Sequence, residues 1–443
     1  LFRSRMHASI ALSDLAMFVP SFAYFDDDIN LRIALEGKGY QTKCTDIYLS
    51  NDDQSLLLKG EAMINHWNEK NNLFLFGNLS QLDADKEGIS WLIQNLTGKA
   101  NAPDILQRIG DISFNGDISG YLNQLTTHGT LLTDVGNIRA NVTMHSDTIT
   151  HLHSYSGKII SPELNLGMLL NQEKTLGNAA FDIELQGFKY NNGKAESYIK
   201  GNISSLTYKQ YEYRNIMLDG KYTPGGFNGK LSLDDSNGNI EINGHFATRQ
   251  AVPDFNLRAV VRNFRPNDLH LTDKYKDTDM SLNLTADFSG HSIDDMQGKI
   301  SIDSVSVNAP EEAQCYYLDN LSITAGNTGK NKEKQIEIHS PFLNGSVKGN
   351  YSYRTLPASI LKTLQRYIPS LLALNKELPE TNNNFQFHFQ LDNTELFSKV
   401  LNIPIELGMP ATLNGYFDDS RTRLQIQGYL PEFVRSEERR VGK

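Results

Sequence analysis

The amino-acid sequence predicts an all-β protein: an elongated, twisted antiparallel sheet curled into a trough, a β-groove, with a few short helices. Three observations predict it. A five-residue pattern of apolar, polar, Gly, any residue, apolar recurs eleven times in 443 residues. Long stretches between its copies alternate apolar and polar side chains with the period of a half-buried strand. The length of 443 residues also exceeds the ~250–300 residues at which single cores stop growing. Residues 1–435 therefore read as one continuous repetitive array.

The pattern begins at Leu58-Lys59-Gly60-Glu61-Ala62 and Phe114-Asn115-Gly116-Asp117-Ile118. It continues at Ile199–Ile203, Leu218–Tyr222, Phe227–Leu231, Ile242–Phe246, Met296–Ile300, Leu343–Val347, Val347–Tyr351, Leu413–Phe417 and Ile426–Leu430. Its two apolar residues and its glycine are two apart, so in a strand all three share one face. The competing reading of Asn-Gly is a hairpin turn. That turn would set Phe114 opposite Asp117 and Phe227 opposite Lys230, and it resists the Lys, Asp and Gln that replace Asn in other copies. Mid-strand glycine is the better reading, with each glycine marking a bulge, a bend or a close backbone approach.

Taken in order, Ile29, Leu31, Ile33 and Leu35 alternate with polar or small neighbours, as do Ile138, Ala140, Val142 and Met144. Phe181, Ile183 and Leu185 follow, then Met280, Leu282, Leu284, Ala286 and Phe288, and finally Phe385, Phe387, Phe389 and Leu391. Asn192-Gly193, Pro224-Gly225-Gly226 and Asn237-Gly238 separate strands as turns. Helical spacing is confined to Ile89, Leu92, Ile93 and Leu96 before Gly98, to a stripe over Ser359–Ile368 ahead of Pro369, and to Thr394–Leu401. Leu-rich knots interrupt the strands at Leu79–Leu82, Leu164–Leu170 and Leu269–Leu271, and Ser13 or Asp14 can cap a short turn. These stripes read as packing surfaces that plug an end or edge of the sheet.

A hydrophobic fraction of 39% and a mean hydropathy of −0.42 suit a sheet that is apolar on one face only. A formal net charge of −10 without a long basic run argues against a nucleic-acid partner. Cys44 and Cys315 read as free thiols or, less readily, a disulfide. No stretch has the ~18–20 apolar residues that cross a membrane as a helix. The start, Leu1-Phe2-Arg3-Ser4-Arg5-Met6, has no signal-peptide features, and the chain reads as an internal piece of a longer protein. Residues 436–443 read as a disordered or foreign tail.

Several stretches together resemble the TamB family of translocation and assembly proteins, in the wider AsmA-like group and nearest to its Bacteroidetes-type members. They are Ser13–Pro20, Ile109–Gly120, Tyr155–Lys158, Leu164–Leu170 and Arg366–Ser370, within a similarity of texture that covers Ala8–Val434. The resemblance implies a trough, apolar inside and polar outside, standing in the periplasm and anchored to the inner membrane by a segment not contained here. It implies that the trough carries phospholipid or another acyl lipid between inner and outer membranes, assists outer-membrane protein assembly, or both. An outer-membrane β-barrel is the implied partner, and the family's anchor and C-terminal domain are not visible in this sequence. The residues expected to line the groove are Ile138, Val142, Phe181, Ile183, Leu185, Met280, Leu282, Leu284, Phe288, Phe385, Phe387 and Phe389.

No catalytic signature stands out, so the expectation is a non-enzymatic protein without cofactor or metal. His151-Leu152-His153 has a spacing that can serve a metal, but no neighbouring Cys or acid completes a set, and it reads as surface histidines. Asp26–Asp28, Asn51–Asp53, Asp294-Asp295 and Asp418-Asp419 read as solvated acidic loops without EF-hand spacing. There is no G-x-S-x-G and no P-loop. The alternative function is a cell-surface β-solenoid or β-sandwich array acting as adhesin or glycan binder, with a polysaccharide-processing β-helix enzyme behind it. A glycan reader would expose aromatic rings, and Tyr208, Tyr211 and Tyr213 are the best candidates in a chain whose phenylalanines fall on the apolar side.

Overall fold

A computed structural model describes residues 2–11, 13, 28–66, 68–69, 72–97, 104–147, 150, 152–190, 195–247, 252–273, 275–309, 314–328, 333–356, 358–360, 362, 382–392, 405–407, 409–421, 423–429 and 433–435. The chain forms two compact units, Leu1–Pro224 with Leu231–Asp235, and Gly225–Lys230 with Ser236–Lys443. Among the described residues, 23 strands belong to one antiparallel sheet and two to a small separate sheet.

The first unit contains β1 (Phe2–Ala11), β2 (Asp28–Lys38), β3 (Gln41–Asn51), β4 (Leu56–Asn65), β5 (Phe74–Ala84), β6 (Ile112–Tyr121), β7 (Gln124–Thr133), β8 (Gly136–Ser146), β9 (Leu152–Asn165), β10 (Leu176–Tyr190), β11 (Ala195–Tyr208) and β12 (Tyr211–Thr223). Strand β13 (Gly226–Asp235) is divided between the units. The second unit contains β14 (Gly238–Ala247), β15 (Asp254–Phe264), β16 (Asp279–Ser289), β17 (Gln297–Ala309), β18 (Gln314–Thr328), β19 (Glu333–His339), β20 (Leu343–Asn350), β21 (Asn384–Leu391), β22 (Ile405–Leu407), β23 (Ala411–Asp418), β24 (Arg423–Tyr429) and β25 (Phe433–Arg435). Within each unit consecutive strands pair as a meander, except that β21 pairs β23 while β22 pairs β25. The alternating stretches fall on β2, β8, β10, β16 and β21, as their pattern predicts.

All eleven motif glycines lie inside strands, and none forms a hairpin turn. At two of them the gap is used by a ring on the neighbouring strand. A Cβ at Gly345 would overlap the Phe389 ring across the ladder, and one at Gly415 would overlap the Phe387 ring. These rings occupy the space over the facing glycines, a known way to pin register beside a strand glycine. Gly415→Val is therefore expected to cost about 1–3 kcal/mol through overpacking. Phe387→Ala in the same chain should recover part of that loss, because the two changes share one space. Denaturant unfolding of the double-mutant cycle checks this, and strictly additive costs would show that the ring does not fill the gap.

Bulges bend the sheet within each unit. The ladder shifts at Cys44/Ile47 between β3 and β4 and at Val261/Phe264 between β15 and β16. Asp46 (φ 59°) and Asn263 (φ 49°) take left-handed backbone there, which Asp and Asn tolerate better than other side chains.

Helices are few and cover strand ends. Helix α1 (Lys86–Thr97) matches the expected stripe, and the Asp85 carboxylate accepts from the Gly88 N–H at 2.8 Å to start it. Ile89 of α1 packs with Leu56 and Ala84, and Trp91 reaches Ile29, which is fully buried. Helix α2 (Asp104–Arg108) was not expected; its Arg108 donates to the Leu169 carbonyl at 2.9 Å. Helix α3 (Leu166–Leu170) realises the knot at Leu164–Leu170, capped by Asn165. The knot expected at Leu79–Leu82 is instead a bulged part of strand β5, where Leu79 pairs Gly60, Leu82 pairs Leu58 and both ladders shift register between them. Leu269 sits in a buried turn. Thr394–Leu401, most of Ser359–Ile368, Asp14–Pro20 and residues 436–443 lie outside the described residues.

Candidate functional site: the apolar face

The apolar face is built by register. In the first unit, Ile47, Gly60, Leu79, Gly116, Gly129, Ala140, Ile159, Ile183, Gly201 and Leu218 are successive cross-strand partners from β3 to β12. The neighbouring row carries Ile118, Thr127, Val142, Gly157, Leu185 and Ile199. In the second unit, Gly244, Leu257, Ala286, Ile300, Ile323, Ile338, Gly345, Phe389, Leu413 and Gly428 form one row. Phe246, Phe255, Phe288, Gly298, Ala325, Ile336, Val347, Phe387, Gly415 and Ile426 form the next. These rows hold only apolar residues and glycine, with Thr127 the single polar exception.

Each expected lining residue can be placed on this face. Val142 and Leu185 share a row, Ile183 lies in the row beside them, and Phe181 follows, opposite Ile203. Ile138 faces Leu131 and sits at the register shift between β8 and β9. Met280, Leu282 and Leu284 are flanked by Val307, Val305 and Ile302, and Phe288 stacks on Phe255 at 5.1 Å between ring centroids. Eleven of the twelve are half-buried. Phe385 differs: it is 6% exposed, packed with Tyr351 and Phe417 beneath the segment that follows β20. Sequence reasoning passed over Ile159, whose neighbour Ile160 is also apolar and hides the alternation, and over Ile323, Ile336 and Ile338.

The covered parts of the face are strand ends. In the first unit the buried apolar residues Ile29, Leu56, Ala84, Val135, Leu164 and Ala179 all sit at the ends next to α1, α2 and α3. The opposite ends carry exposed Tyr121, Leu122 and Met144, the last 63% exposed although it shares the face of Val142.

The other face is polar and laced with cross-strand ion pairs. Lys158 meets Asp182 at 2.8 Å and Lys230 meets Glu241 at 2.9 Å. The hydrogen bond from Lys158 to Asp182 raises the lysine pKa, and Lys230 lowers that of Glu241. Such exposed pairs are worth little individually, and they keep this face in water.

Two readings from sequence need correction. Asp418 and Asp419 are not solvated: they are 3% and 8% exposed. Asp418 accepts from Ser420 and from the Arg421 N–H, which holds its carboxyl below the usual range, while Asp419 accepts from Ser359 at 3.0 Å. Asn51 is likewise buried, its amide donating to Ser55 at 2.7 Å in a closed turn. Asp294 and Asp295 form a 3-10 turn with a capping box on Ser292, and Asp294 accepts from Ser352 at 2.9 Å. His153 contacts Ser146, while His151, Asp26 and Asp27 lie outside the described residues. Among the described residues no group of three or more His, Cys, Asp or Glu is placed to hold a metal. The tyrosines nominated as a glycan platform pack on one another instead. Tyr211 and Tyr213 rings are 4.8 Å apart, and burial pushes the Tyr213 phenol up to about 12.

Cys44 is half-buried on the apolar face between Leu35 and Ala62, and burial raises its pKa. The side chain of Cys315 lies outside the description. No helix among the described residues is long and apolar enough to cross a membrane. Set against known proteins, the chain matches no known family, no curated protein and no solved structure. Fold and face define its class: an antiparallel sheet protein that carries, in each of its two units, an apolar face covered only in part.

Proposed function

We propose that this protein carries acyl lipid, phospholipid above all, along its apolar face in the periplasm between inner and outer membranes, or uses that face to assist outer-membrane protein assembly. It does so without catalysing a reaction. One observation carries the reading: apolar rows run unbroken across ten successive strands in each unit while their side chains remain only half-buried. A sheet that needed this face solely for folding would bury it under a second layer. At roughly 0.8 kcal/mol per buried CH₂, a few methylenes laid on such a row are firmly held. Lateral movement requires no headgroup site, since one row resembles the next. The TamB resemblance supplies the compartment and the barrel partner as part of the same proposal.

Mild purification of the chain followed by lipid extraction and mass spectrometry is expected to recover phospholipid in stoichiometric amounts. A purified chain free of lipid that also fails to bind a fluorescent fatty acid would remove the reading.

A further inference from the structure

The polar face contains a feature that lipid carriage does not use. In the first unit, β8 to β11 enclose an open depression of about 410 Å³, within the ~300–1,000 Å³ range of small-ligand sites. Its position follows from register. Thr143, Ser156, Gln186 and Tyr198 are successive partners in one polar row, and Lys158, Glu184 and Lys200 in the next. Short Thr143 and Ser156 beside longer Lys158, Gln186, Tyr198 and Lys200 leave a hollow between them.

Tyr198 is 44% exposed, a large aromatic ring on the polar side of the sheet. Its hydroxyl donates to the Asp219 carboxylate on β12, which tethers the ring and raises the phenol pKa. A tethered ring loses little rotamer freedom when a ligand stacks on it. Around it the charges are mixed with no positive excess: Lys158 is paired with Asp182 at 2.8 Å, Glu184 faces Lys200 across the ladder, and Asp219 holds Tyr198. A polyanion finds no positive field to bind here. The remaining groups are hydroxyls, an amide and paired charges, which donate and accept in equal measure. An anchored aromatic face beside balanced donors and acceptors complements a pyranose ring, with one C–H face and a rim of hydroxyls.

We propose that this depression on the polar face is a binding site for a neutral oligosaccharide, with Tyr198 as its stacking platform and Gln186, Glu184 and Lys200 meeting the sugar hydroxyls. The site is independent of the apolar face, so a protein that fails to hold lipid can still bind sugar.

The test titrates chitotriose and cellotriose into the full chain, read by calorimetry and saturation-transfer NMR. Saturable binding of at least one is expected, weakened about tenfold by Tyr198→Ala and less by Tyr198→Phe, which keeps the ring but loses its tether to Asp219. Gln186→Ala serves as a second, structurally milder variant and should also weaken binding. Tyr317→Ala, which removes a 65% exposed tyrosine of the other unit, should have no effect. The proposal is overturned if neither trisaccharide binds, if Tyr198→Ala and Gln186→Ala both bind as the unaltered chain does, or if a sulfated oligosaccharide binds more tightly than both.

Discussion

Leu282→Asp is expected to leave the chain folded and to abolish its acyl cargo. Leu282 lies in mid-sheet on the apolar face, flanked by Val261 and Val305, and is only half-buried. A carboxylate there can turn toward water, so the several kcal/mol charged by full burial do not apply. An acyl chain crossing the same row would have to desolvate that charge. Phe387→Asp, in the row that joins Val347 to Gly415, should act in the same direction with a larger loss of stability, because its ring also fills the Gly415 gap. Melting temperature and lipid co-purification are measured together. Unfolding by Leu282→Asp would mean that the face is a closed core, and unchanged lipid in a folded variant would take this row out of the path.

Phe417→Ala should do the reverse, costing stability far more than cargo. Phe417 is 1% exposed, stacks on Phe385 at 5.0 Å between centroids, and packs with Tyr351. Removing a buried ring of this kind costs about 3–5 kcal/mol, or roughly 6–20 °C of melting temperature for a unit of this size. The loss should appear in amide exchange of β20, β21 and β23 first, since the ring lies in their shared cluster. A shift below about 2 °C would show that the cluster does not hold that end of the sheet. The contrast with Leu282 is useful because both residues carry the same sequence signature, an apolar side chain in an alternating strand.

That shared signature shows where legibility ended. Phe385, Phe387 and Phe389 are indistinguishable by pattern, yet Phe385 is buried under Tyr351 while the other two stay half open. Tyr213 read as an exposed ring and is buried; Tyr198, one of several exposed tyrosines, sits between Ser197 and Ile199 with nothing in its local pattern to single it out. Asp418 and Asp419 read as a wet loop because adjacent carboxylates usually are; Asp418 is instead held by Ser420 and the Arg421 N–H, and Asp419 by Ser359, 60 residues away. Asp85, by contrast, was a legible helix start that was passed over.

The sequence by itself determined that this chain makes antiparallel strands with one apolar face, and that its motif glycines lie within them. Both are consequences of a two-residue period, which a chain carries locally whatever it meets. Tertiary structure alone decided which residue stands opposite which glycine, where bulges shift the ladder, and which strand ends α1, α3 and the segment after β20 cover. Those outcomes depend on partners tens of residues away and on connections whose lengths set the register. No period in the sequence encodes them, so neither the filling of the glycine gaps nor the hollow beside Tyr198 could be read before the strands were paired.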